Sequence, residues 1–213
     1  MTEADRFMVE DLRVRIMYDP DPESPREWCN LGTMVCWHGR YNLGDKHNYR
    51  EPSDFQDDIK DEPHIILPLY LYAHGGITMS TGPFSCPWDS GQVGWIYITL
   101  EKVRKEYGWK RITKERRQQI IKYLEGEVEE YDNYLTGEVY GYVIEAPPED
   151  PEDEDDDDAW EEIDSCWGFH GSDYVKQEAT AAAQSEMKHR AEERAKLQAE
   201  AAAVAAFNAA APF

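Results

Sequence analysis

Residues 145–164 carry 13 Asp or Glu and no Lys or Arg. Like charges packed this densely repel one another and cannot be buried, so the stretch has to stand in water. Its flanks read the opposite way. Val139, Tyr140, Tyr142, Val143 and Ile144 precede the run, and Ile163, Trp167 and Phe169 follow it. Short segments rich in β-branched and aromatic residues read as strands. The layout therefore predicts antiparallel strands over 138–145 and 161–169, joined by a solvated, disordered acidic hairpin loop over 147–159.

The same run dominates the electrostatics. The formal net charge is −22, of which the run supplies −13. Residues 1–144 hold 25 acids against 17 bases, and residues 165–213 hold 6 against 5. Nucleic-acid binding requires basic surface that displaces counterions, so no direct nucleic-acid partner is expected. The Lys- and Arg-rich stretch 102–122 is the one local exception. No apolar run approaches the roughly 18 residues that span a bilayer, so no membrane partner is expected. The acidic N-terminus lacks the layout of a signal peptide. Cys29, Cys36, Cys86 and Cys166 form no C-x-x-C pair and are expected to stay reduced in a cytoplasm, mostly as small buried hydrophobes.

Along the rest of the chain, residues 11–18 alternate apolar and charged side chains. They predict a half-buried strand with Leu12, Val14 and Ile16 inward. Residues 32–38 predict a second strand or an extended segment, and 54–61 a short helix after Pro52-Ser53. The run 65–72 predicts a strand buried on both faces, with Pro68 requiring an edge position or a bulge. His74-Gly75-Gly76 turns it toward a partner at 77–80. Residues 93–98 predict a further strand. Thr99 caps a helix stopped at Gly108, and Thr113 caps a longer one to about Tyr134. In that longer helix Ile120, Ile121, Leu124, Val128, Tyr131 and Leu135 form a core-facing stripe. From 176 to 213 the chain is Ala-rich, which favours helix. Met187, Leu197, Val204 and Phe207 are too sparse for a continuous seam, so this tail is expected to pack little. The expected fold class is α+β: a mixed, mainly antiparallel sheet with one or two packed helices. It occupies one compact domain, 1–175, followed by an Ala-rich, helical or partly disordered tail over 176–213.

Two polar segments concentrate chemistry beside strand ends, 36–47 and 74–91. Loops held by a rigid scaffold are where sites tend to lie. The candidate pocket comprises His38, Arg40, Asn42, Asp45, His74, Ser80, Cys86, Trp88, Asp89 and Asp164. In it a histidine would transfer protons, and Arg40 would fork onto an anion. A metal site is not expected, because structural zinc shows close Cys or His pairs and Cys36-x-His38 is the only tight pair. A thiol enzyme centred on Cys86 would need a cationic partner or a base, which His74 or His38 would have to supply. No phosphate-binding, dinucleotide or nucleophile-elbow motif occurs, and no cofactor is implied. The plain alternative is that Trp37, Trp88, Trp95 and Trp167 are core aromatics, and that Asp89, Ser90 and Asp164 cap turns.

The strings 31–38 (Leu-Gly-Thr-Met-Val-Cys-Trp-His), 40–45 (Arg-Tyr-Asn-Leu-Gly-Asp), 77–97, 138–144 and 164–169 resemble a widespread family of bacteriophage and conjugative-element proteins. The resemblance covers about residues 10–175; the acidic hairpin and Ala-rich tail look like additions to it. It implies expression in a bacterial host cytoplasm and carries over no catalytic residue. The first expectation is thus an accessory protein that binds a host, phage or defence protein, as an acidic, anti-defence inhibitor. The alternatives are a small enzyme or small-ligand binder built on the two loops, and an assembly component that self-associates through the tail. The sequence leaves open whether the chain is catalytic.

Overall fold

A computed structural model describes residues 2–210, with side chains to residue 206; expectations at Met1, Phe207 and 211–213 lie outside the described residues. In chain order the elements are β1 (Glu3–Val9), β2 (Leu12–Tyr18), β3 (Thr33–Cys36), α1 (Pro52–Ile59), β4 (His64–Ala73), β5 (Ile77–Ser80), β6 (Ser90–Thr99), α2 (Leu100–Tyr107), α3 (Lys114–Thr136), β7 (Val139–Ala146), β8 (Glu161–His170) and α4 (Ser172–Ala210). The class is α+β. The strands form two antiparallel four-stranded sheets, β1-β2-β7-β8 and β3-β6-β4-β5. This corrects the expectation of one mixed sheet: periodicity marks a strand but does not choose its partner.

Where one body over 1–175 was expected, the chain divides into two compact units. The first runs to Pro20 and resumes at Val139; the second is Asp21–Glu138. Departure and return are adjacent in the first unit, where the Asp19 N–H donates to the Val139 carbonyl at 2.9 Å. A whole domain can be inserted at such a point because its two ends need to meet.

In the first unit, β7 and β8 pair antiparallel from Val139↔His170 to Ala146↔Glu161, so the acidic run is a hairpin connection as expected. Gly141 on β7 leaves room for the Trp167 ring, which a Cβ would meet at 2.2 Å. Leu12, Val14, Ile16, Tyr140, Tyr142 and Ile144 bury one face against Val175, Ala179 and Ala183 of α4. Those three helix residues are fully buried, which corrects the expectation of a tail that packs little. Alanines at four-residue spacing share one helix face, and their small side chains let α4 lie close on the sheet. From 191 to 206 α4 is exposed. The unassigned residues 3–9 form β1, turned into β2 through Glu10 at φ 54°. A glutamate there gives no sign of a tight turn, which normally calls on Gly, Asn or Asp.

In the second unit, α2 and α3 cover one sheet face around Met34, Leu69, Ile96, Ile98 and Leu124. Both helices start as read and α2 stops as read, whereas α3 runs two residues past the expected end at Tyr134, to Thr136. Thr99 and Thr113 accept from the third residue on, and Gly108 and Gly137 end them at φ 64° and 79°. The left-handed C-cap favours glycine because it has no Cβ to clash. Strand β5 pairs β4 only from Tyr70 onward, so Pro68 lies where β4 has no neighbour on that side. The opposite sheet face carries an aromatic cluster, Trp37, Tyr49, Trp95 and Tyr97, around Phe55 of α1. Among the described residues no helix is long and apolar enough to cross a membrane.

Candidate functional site

The most strongly built polar feature lies at the base of the acidic hairpin. Arg13, on β2, is 4% exposed and Glu145, on β7, is 6% exposed; the Arg13 Nε donates to Glu145. The Arg13 Nη1 donates to the Asp157 carboxylate at 2.6 Å, and its guanidinium lies 4.4 Å over the Trp160 ring. Arg6 forks onto the same Asp157 carboxylate at 2.8 and 3.2 Å. Glu3 and Arg15 complete the group, with Arg15 donating to Glu3 and to Glu145. Three guanidiniums thus face three carboxylates, and a buried charge is tolerable when it is paired and its hydrogen bonds are met.

The consequence is local order. The loop was expected to be disordered and β2 half-buried; both expectations are corrected. Arg13 is buried because Asp157 and Trp160 fold back over it. Short 3-10 turns at Pro151–Asp153 and Asp157–Ala159 are capped by the side chains of Asp150 and Asp156, and the Trp160 indole donates to the Glu154 carbonyl. Arg6 foremost, with Arg13 behind it, holds the Asp157 carboxyl below its ordinary value, against a smaller opposing effect of burial. Twelve of the 13 carboxylates in 145–164 are exposed, and among the described residues only Asp157 of these pairs with Lys or Arg.

The sequence-derived pocket residues are distributed over several places. His38, Trp88 and Asp89 line one open depression of about 450 Å³ in the second unit. Asp89 also holds His74 at 3.2 Å and the Cys86 thiol at 3.6 Å. The two loops therefore meet there in part. Trp88, weighed as a core aromatic, is 92% exposed instead. The His38 Nδ1 accepts from the Arg40 and Tyr41 amides, which ties up that nitrogen in a turn. Arg40 lies 5.4 Å from the Tyr41 ring and is exposed.

Asn42 and Asp45 line a different depression, of about 590 Å³. There Asp45 accepts a forked pair from Arg26 at 2.9 and 2.7 Å, and the Met34 amide at 2.8 Å. Burial opposes the Arg26 charge, but Asp45 and Glu127 outweigh it and its pKa is raised. Glu127 receives the Leu31 and Gly32 amides as well. Every partner in this group is internal, so Asp45 is a structural tie. Ser80 accepts the Gly82 amide, again within a turn. Asp164 belongs to the first unit, 3.5 Å from the Tyr142 hydroxyl. Among the described residues no group of three or more His, Cys, Asp or Glu could hold a metal.

Arg6, Arg13, Arg26 and Glu127 were not singled out in the sequence. Arg13 and Arg15 alternate with apolar residues, a pattern that reads as a solvated strand face. Their burial depends on Glu145 and Asp157, some 130–144 residues further on. No protein-family model, curated protein or solved structure matches the chain.

Proposed function

We propose that this chain is an accessory protein of a bacteriophage or mobile element that binds a basic surface on a host or defence protein through its acidic hairpin. The observation that carries this reading is the Asp157 anchor. Arg6 and Arg13 hold one carboxylate of the run, so the neighbouring exposed carboxylates are presented from a fixed base. A pre-ordered loop loses less conformational entropy on binding than a free one. Dense negative charge also speeds encounter with a positive groove. The resemblance of 31–45 and 77–97 to phage proteins supplies the cellular context.

The test replaces Glu152, Asp153, Glu154 and Asp155 by their amides and leaves Asp150, Asp156 and Asp157 in place. Wild type and variant serve as baits in a lysate of the bacterial host at about 50 and about 200 mM salt. The expected outcome is a basic protein retained by wild type at the lower salt and lost from the variant. A partner retained equally by both baits at both salts overturns the reading.

A second reading is a small-ligand site, favoured by His38, Trp88 and Asp89 lining one depression. A ligand there would quench the exposed Trp88, and Trp88→Phe would remove that signal.

A further inference from the structure

One segment of the acidic chain is strongly cationic. Residues 101–122 carry nine Lys or Arg against three Glu. They span α2, the connection after it, and the first part of α3. Eight of the nine are exposed, and Arg116 is half-buried over the Trp109 ring at 4.7 Å. Lys102, Arg116 and Arg117 donate to backbone carbonyls. Among the described residues none of the nine lies within ion-pair distance of a carboxylate, although the chain offers 44 acids. The cationic surface also ends sharply: after Lys122, α3 turns acidic with Glu125, Glu127, Glu129 and Glu130.

We propose that this α2–α3 corner docks the acidic hairpin of a second copy of the chain. Charge complementarity carries the choice of occupant. The cationic part of α3, Lys114 to Lys122, is only about 12 Å long at 1.5 Å per residue. That suits a compact loop of carboxylates. An extended nucleic acid would run on over the acidic half of α3. The hairpin and the corner are different patches, so two copies either dock reciprocally or join head-to-tail. A head-to-tail contact gives a ring if it closes and an open chain if it does not. The net charge of −22 makes copies repel at long range. At physiological salt the Debye length is about 8 Å, so the local match decides. The inference rests on the hairpin being a docking element, as proposed above, and the corner variant separates the two claims.

The experiment measures the mass of the full chain by sedimentation over a concentration series, at about 0.15 M and about 1 M salt. The corner variant is Lys105→Gln, Lys110→Gln and Lys114→Gln; the hairpin variant is the four-amide change given above. Circular dichroism confirms that both fold. The expected result is a wild-type mass that rises with concentration at the lower salt and falls back at the higher. Each variant alone is weakened about tenfold or more, since three or four exposed pairs are lost. A one-to-one mixture of the two keeps one intact junction and stops at a dimer. A wild type that stays monomeric overturns the proposal, as does a corner variant that associates like wild type. Tight binding of a labelled single-stranded oligonucleotide that the corner variant loses also overturns it, by naming another occupant. If the corner variant is unaffected while the hairpin variant loses its lysate partner, this inference fails and the proposed function stands.

Discussion

Arg13 and Glu145 are the residues whose change should cost the most in the first unit. Removing one partner of a buried pair leaves the other charge without compensation, at about 3–5 kcal/mol. Arg13→Met is therefore expected to lower stability by that amount in urea denaturation. Adding Glu145→Leu to it should recover most of the loss, because a well-packed apolar pair replaces the ions. The cysteines give a second residue-scale prediction. Burial, then the Asp45 charge, pushes the Cys36 thiol up to about 12, and the thiolate is the reactive form. At neutral pH a thiol reagent should label exposed Cys29 and Cys166 quickly, and Cys36 only after unfolding. Mass spectrometry of timed digests reads this directly.

At the scale of elements, α4 is one continuous helix with two environments. Ala179 is fully buried against sheet residues, whereas Leu197 is 65% exposed. Adding carbons to a filled core costs about 1–3 kcal/mol, so Ala179→Leu should destabilise the first unit by that much. Leu197→Ala should stay within about 0.5 kcal/mol, as exposed substitutions do. Equal effects of the two changes on thermal unfolding would contradict the packing described. Helices α2 and α3 were legible nearly to the residue, because Thr99, Gly108 and Thr113 act through the backbone next to them. The β7–β8 hairpin was legible for a related reason: the acidic run could only be a solvated connection. Strand β1 was missed because Glu10 occupies a turn position that ordinarily announces itself with glycine or asparagine.

For the whole molecule, the insertion predicts independence. Residues 21–138 contain a complete sheet, two covering helices and an aromatic cluster of their own. Expressed alone, this segment should melt in one cooperative transition with near-ultraviolet dichroism from its buried tyrosines and tryptophans. A molten spectrum would count against it. Acid should act first on the hairpin. Arg6 holds the Glu3 and Asp157 carboxyls below their ordinary 4.5 and 3.8. Groups with depressed values stabilise the fold above those ordinary values, and that contribution is lost as pH falls through the lower folded ones. Hydrogen-bonded amides within 150–160 should thus stay protected from exchange above the ordinary carboxyl values of 4.5 and 3.8 and lose protection as the pH falls below them toward the lower folded ones. Protection that stays unchanged however far the pH is lowered below 3.8 would show that the Asp157 anchor does not hold the loop.

What the sequence determined by itself was everything governed by neighbours along the chain: helix limits, most strands, the antiparallel hairpin, and the exposure of a run too charged to bury. What only the tertiary structure decided was which strands share a sheet and which charges find partners. The candidate site shows the division. His38 and Asp89 were named from loop composition and do share a depression. Asp45 was named with them and instead ties Arg26 to the Met34 amide. Asp157 looked like one acid among many until folding brought Arg6 and Arg13 to it across some 150 residues. Pairing over such distances depends on how sheets close, and local side-chain pattern carries no record of that.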